Sequence, residues 1–146
     1  MSKREKLAVL LKALDEALLD LERYAGSVGF DEFVRDRNKY RMVCHALLVA
    51  AQSAIDIAEV LVADRGLGPA QTYREAFDIL ARAGIFPADL AKELSGWAGL
   101  RNALVHLYTH LDLQRLYDAF TSGLDPLRRL REFAFAEAGQ PGPAVT

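Results

Sequence analysis

The chain has 146 residues, with 18 basic side chains against 20 acidic ones and a formal net charge of −2. Hydrophobic residues make up 51% and charged residues 26%, the balance of a globular domain, which excludes disorder as the main state. The near-neutral charge excludes a molecule-wide electrostatic footprint for nucleic acid. The single cysteine, Cys44, excludes a disulfide framework and a cysteine-built zinc site, and it fits a reducing cytoplasm.

From Lys3 to Tyr24, leucines fall at Leu7, Leu10, Leu11, Leu14, Leu18 and Leu21, the spacing of an amphipathic helix. Asp15, Glu16 and Asp20 interrupt its apolar run, so the segment is expected to be a helix of the domain and not a secretory leader. Gly26 and Gly29 end it. A second pattern runs from about Phe30 to Asp64, with Tyr40, Val43, Cys44, Leu47, Leu48, Ala51, Ile55, Ala58 and Val62 on one wide face. At about 35 residues it exceeds the usual globular helix and predicts a fold built around one long helix. Its longest uninterrupted apolar stretch, Ala46 to Ala51, is too short to cross a bilayer, and no membrane role is expected.

A break follows at Arg65–Pro69. Thr72 with Glu75 has the spacing of a capping box and opens a short helix through Phe77, Leu80 and Ala81, ended by Gly84. Pro87 suits the first turn of the next helix, which continues through Leu90, Leu94, Trp97, Leu100 and Leu104 to about Tyr108. Asp112 caps a last helix through Leu113, Leu116, Phe120, Leu127, Leu130 and Phe133, which Ser122-Gly123 and Asp125-Pro126 should kink or split. The expectation is an all-α domain over residues 1–138, a single bundle of four to five helices with one long helix, and a frayed tail over 139–146.

Few residues offer chemistry. Of His45, His106 and His110, only the last two have the i, i+4 spacing of a metal-binding pair, and histidine also simply suits the negative end of a helix dipole. Gly66 and Gly68 are followed by proline, not by the lysine of a phosphate loop, and nothing calls for a cofactor. The segment RNALVHLY, Arg101 to Tyr108, stands apart. On a continuous helix Arg101 and Tyr108 fall nearly in line, as do Asn102 and His106 about 100 to 140° further round. Gly96 and Gly99 precede it and would let another backbone approach closely. One reading is a partly exposed helix end with Arg101 in a surface ion pair. The other is a metal-free phosphate-cleaving site. Arginine binds phosphate bidentately and stays charged, and histidine titrates near neutral pH. His106 would exchange a proton with a ribose 2′-hydroxyl while Arg101 holds the scissile phosphate, and a symmetric dimer would supply a second histidine.

R-N-A-L-V-H-L-Y resembles the R-x4-H-x-Y motif of HepT-like proteins in the HEPN superfamily of helical ribonucleases. Tyr40-Arg41, Ala50-Ala51 and Ala54-Ile55-Asp56-Ile57-Ala58 are similar to that family's long second helix. Thr72 to Phe77, Leu80, Gly84-Ile85 and Leu90 are similar to its middle helices, and Gly99-Leu100-Arg101-Asn102 leads into the motif. The likeness runs in order from about Tyr40 to Tyr108; many relatives carry an aromatic where this chain has Leu100. The resemblance implies a cytoplasmic toxin of a two-gene toxin–antitoxin pair, a metal-independent endoribonuclease with Arg101 and His106 as its catalytic pair and Asn102 in support. It implies an MNT-type nucleotidyltransferase antitoxin that transfers AMP from ATP to Tyr108. It also implies a homodimer, with larger assemblies alongside the antitoxin. The alternative is a non-catalytic HEPN dimer that docks a nucleotidyltransferase; a plain helical interaction protein comes third.

Three other polar features stand out. His45, Gln52, Asp56 and Glu59 form a stripe on the long helix, either its solvent face or a place from which Asp56 or Glu59 orients Arg101 or His106. Arg35, Arg37, Lys39 and Arg41, interleaved with Phe33 and Tyr40 and offset by Asp31, Glu32 and Asp36, could track an RNA backbone. Arg128, Arg129 and Arg131 equally suit an acidic partner.

Overall fold

A computed structural model describes residues 1–139, and these form seven helices: α1 (Lys3–Ser27), α2 (Phe30–Arg35), α3 (Arg37–Asp64), α4 (Tyr73–Arg82), α5 (Ala88–His106), α6 (Leu113–Ser122) and α7 (Asp125–Glu137). The all-α expectation holds among the described residues, but the count exceeds four to five. Two predicted helices are each two. The long pattern from Phe30 breaks at Asp36, whose carboxylate accepts from the backbone N–H of Asn38 at 3.0 Å and of Lys39 at 3.1 Å. An aspartate that caps the following helix cannot also continue the preceding one. The last pattern splits at Gly123-Leu124, with Pro126 in the first turn of α7.

Other ends follow their local chemistry. At α1, the Ser2 hydroxyl accepts from the Glu5 N–H and the Glu5 carboxylate accepts from the Ser2 N–H, both at 3.1 Å. Thr72 caps α4 as expected, accepting from the Glu75 N–H at 3.1 Å, while the Glu75 carboxylate takes the N–H of Gln71. Pro87 stands one residue earlier than predicted, as the cap of α5.

The 28-residue helix α3 is the centre of the bundle. It is apolar over a length that could cross a bilayer, yet α1 packs along it most extensively and α5, α4, α2 and α7 cover its other sides. Leu47, Ile55, Ile57 and Leu61 of α3 are fully enclosed with Leu7, Leu14 and Leu21 of α1, Phe77 and Leu80 of α4, and Leu90 and Leu94 of α5. An aromatic cluster, Phe33 against Tyr40, Tyr117 and Phe120, fastens α2 to α3 and α6. The arginines of α7 are used internally. Arg128 pairs with Glu22 at 2.7 Å and Arg131 with Asp15 at 3.1 Å, both on α1, and Arg129 pairs with Asp89 of α5 at 3.3 Å. They link α7 to α1 and α5 within the bundle. Beyond α7 the Gly139 carbonyl accepts from Arg4; the rest of the expected tail, 140–146, lies outside the described residues.

Candidate functional site

The buried face of α5 packs chiefly on α4 and α3, Trp97 Nε1 donates to the Gly123 carbonyl at 3.2 Å, and Arg101 reaches the crevice between α3 and α4. There the half-buried guanidinium is held on three sides. Its Nε donates to Gln52 Oε1 of α3 at 2.7 Å, its Nη1 donates to Asn102 Oδ1 at 3.2 Å, and its Cζ lies 4.8 Å from the ring centroid of Tyr73 at the start of α4. Gln52 Nε2 in turn donates to Asp56 Oδ1 at 2.8 Å. Among the described residues no carboxylate pairs with Arg101, so the surface ion pair is not what the arginine does here. Its charge is oriented by neutral acceptors and an aromatic face, and it stays available to an anion.

The polar stripe on α3 thus serves Arg101, through a residue the sequence reading did not choose. Gln52 makes the contact and Asp56 stands behind it. Glu59, one turn further, has its carboxyl pushed above the usual range by burial and, secondarily, by the charge of Asp56. His45 faces a groove between α1 and α3 with Glu16 and Asp20.

His106 is the last residue of α5 and is exposed. Five residues of helix turn it about 140° from Arg101. No hydrogen bond joins the two, and they leave α5 in different directions. Tyr108 is not on the helix. The predicted continuation fails because α5 ends at His106. Leu107 follows with φ −121° and ψ 31°, its N–H closing onto the Ala103 carbonyl, and the His110 N–H returns to the Leu107 carbonyl at 2.8 Å. Tyr108 and Thr109 are weak helix formers, and Asp112 already caps α6 by accepting from the Arg115 N–H. The alignment of Tyr108 with Arg101 is therefore lost, and Tyr108 projects from a turn, 71% exposed. That turn also removes the shared face of His106 and His110. Among the described residues no three metal-ligating side chains converge.

Neither glycine of α5 meets the backbone expected there: the space at Gly96 is open, and the space at Gly99 is filled by side chains. Arg74 of α4 and Arg115 of α6 both bring Nη2 within 4 Å of where a Gly99 Cβ would stand, and Arg115 Nη2 points to the Gly96 carbonyl at 3.5 Å. The basic run from Arg35 to Arg41 lacks the aromatic platform first considered. Phe33 is fully buried beneath Tyr40 and Phe120, and Lys39 pairs with Glu32.

Residues 14–133 match the family described as Ribonuclease HepT-like. The chain is 29% identical over 98 residues to a tRNA nuclease HepT of Aphanizomenon flos-aquae, covering 67% of each chain. It is 34% identical over 92 residues to a putative RNase of Archaeoglobus fulgidus, covering 63% of this chain and 68% of that one. Among solved structures, it superposes with a TM-score of 0.82 on a tri-AMPylated HEPN toxin of Shewanella oneidensis in complex with its MNT antitoxin, at 22% identity over 93% of this chain and 99% of that one. A toxin–antitoxin crystal structure with AMP-PNP gives a TM-score of 0.83 at 21% identity, covering 90% and 98%.

Proposed function

This chain belongs to the HepT-like family, and on that premise we propose that it is the toxin of a toxin–antitoxin pair, a metal-independent endoribonuclease silenced by AMPylation of Tyr108. The observation that carries the reading is the environment of Arg101. A guanidinium fixed by Gln52, Asn102 and the Tyr73 ring, with no carboxylate paired to it among the described residues, is prepared for a phosphate. His106, exposed at the end of the same helix, is the proton carrier.

The step is a transesterification. His106 takes the proton of a ribose 2′-hydroxyl, the 2′ oxygen attacks phosphorus, and the bond to the 5′ oxygen breaks. Arg101 neutralises the charge that grows on the phosphoryl oxygens, and Asn102 supports it. A histidine divided by about 140° of helix from its own arginine is matched with the arginine of a second copy when two α5 ends face each other across a two-fold axis. The second histidine then returns a proton to the leaving 5′ oxygen.

Tyr108 completes the regulation. Its hydroxyl is borne on a freely exposed side chain just beyond α5, open to a nucleotidyltransferase of the MNT type, which would transfer AMP from ATP and release pyrophosphate. Each AMP added beside the cationic site brings negative charge and bulk, which competes with RNA for Arg101. The relatives named as nucleases and the toxin–antitoxin complexes that share the fold support this reading. The test is RNA cleavage before and after incubation with the partner nucleotidyltransferase and ATP. Activity should fall as intact mass rises in AMP units, and Tyr108→Phe should stay active and unmodified. Loss of activity in Tyr108→Phe without any mass change would overturn the silencing role.

A further inference from the structure

The pair of arginines over Gly99 has no assigned role. Arg74, in the first turn of α4, and Arg115, in the first turn of α6, place their guanidinium groups side by side above the same glycine. Like charges at this spacing repel, and neither makes an ion pair among the described residues. Three carboxylates of neighbouring turns are engaged elsewhere. Asp118 accepts from Gln114 at 2.8 Å, Glu93 faces Arg129 at 3.7 Å, and Glu75 takes the Gln71 N–H. A side chain at position 99 would collide with the Arg74 guanidinium, so the glycine is what admits it.

Their position on α5 relates them to the site. Gly99, Asn102 and His106 fall on one helical stripe, i, i+3 and i+7, on the outward side of α5. Seven residues of rise separate Gly99 from His106 by about 10 Å. A strand of RNA whose scissile phosphate lies at His106 and runs along this stripe meets the two arginines next.

We infer that Arg74 and Arg115 form a second phosphate-binding point, which grips a backbone phosphate flanking the scissile one and sets the strand along α5. The inference rests on the ribonuclease reading and adds to it a substrate-holding site that takes no part in the bond-breaking step. Two guanidinium groups converging from different helices suit bidentate capture of one phosphodiester. The contact reads no base, so it contributes affinity and strand direction and not sequence choice.

The test uses full-length His106→Ala protein, which holds RNA without cutting it, and a fluorescently labelled single-stranded RNA followed by anisotropy across a salt series. Arg74→Gln with Arg115→Gln should weaken binding about tenfold. It should also reduce the slope of log affinity against log salt by about 0.7, the share of one phosphate contact on a single strand. Arg35→Gln with Arg37→Gln changes net charge equally and should move neither quantity as far. Gly99→Ala keeps every charge but displaces Arg74, and should give an intermediate loss with an unchanged circular dichroism spectrum. In the His106-intact background the double arginine variant should raise KM and leave kcat near wild type. Equal losses in both arginine pairs, unchanged affinity and slope in the Arg74/Arg115 pair, or no RNA binding by the parent would overturn the proposal. So would loss of nucleotidyltransferase binding with RNA binding intact, which would make the pair a protein contact. Cleavage by the His106→Ala protein would instead overturn the catalytic reading and leave the binding comparison standing.

Discussion

Gln52 decides how Arg101 is presented. Its amide accepts from the guanidinium with one end and donates to Asp56 with the other, so the amide cannot flip without losing both bonds. Gln52→Leu removes the acceptor and leaves the guanidinium on Tyr73 and Asn102 alone. We expect kcat to fall about tenfold with KM changed less, in line with the loss of one charge-assisted hydrogen bond. Asp56→Asn should do less, because the amide can still accept from Gln52. Initial-rate kinetics on a defined RNA separate the two. Glu59 gives a pH signature. Its folded-state carboxyl titrates above its ordinary value, so the fold disfavours the ionised form. The destabilisation is absent below the ordinary pKa and grows as pH rises through the raised one. Glu59→Gln should therefore raise the melting temperature at pH 7 and leave it unchanged at pH 3. Residue types were partly legible in advance. A stripe of polar groups on an otherwise apolar helix marked the place, but charge drew the reading to Asp56 and Glu59, and the neutral amide made the contact.

At the scale of elements, helix ends place the side chains of the candidate site. α4 begins at Tyr73, so its cap also places the ring under Arg101 and the neighbouring Arg74 over Gly99. Thr72→Ala removes that cap and should cost about 1 kcal/mol, a fall of about 2–4 °C in melting temperature for a chain of this size. Its effect on cleavage should exceed what this small loss explains, since both side chains in the first turn then fray; differential scanning fluorimetry beside the cleavage rate checks this. The helices themselves were legible because leucine periodicity, Thr72 and Asp112 all agree with one another. Asp36 was not, because the apolar face resumes beyond it in phase and hides the break. The end of α5 was missed for a related reason. Leu107 and Tyr108 extend the apolar pattern by composition, while the geometry turns them out, leaving Leu107 54% exposed.

The whole molecule presents α5's end as an unfinished surface. Val105, Leu107 and Tyr108 are exposed together there, beside a histidine that leaves α5 about 140° round from Arg101. In the proposed two-fold dimer the apolar side chains would be covered and the site completed at once. Leu107→Glu should shift the sedimentation coefficient from dimer to monomer and abolish cleavage. A wild-type monomer at micromolar concentration would contradict the shared site. None of this pairing was legible from periodicity, which reports the buried face of a helix but not which copy of the chain buries it.

The most direct measurement is cleavage of RNA by purified wild-type protein in EDTA, beside His106→Ala and Arg101→Ala, after intact mass has confirmed that Tyr108 carries no AMP. The account predicts that wild type cuts and that each variant loses at least a hundredfold in rate, the scale of a removed general base or a removed charge stabiliser. Equal cutting by all three proteins, or none by unmodified wild type across several classes of RNA, would contradict it.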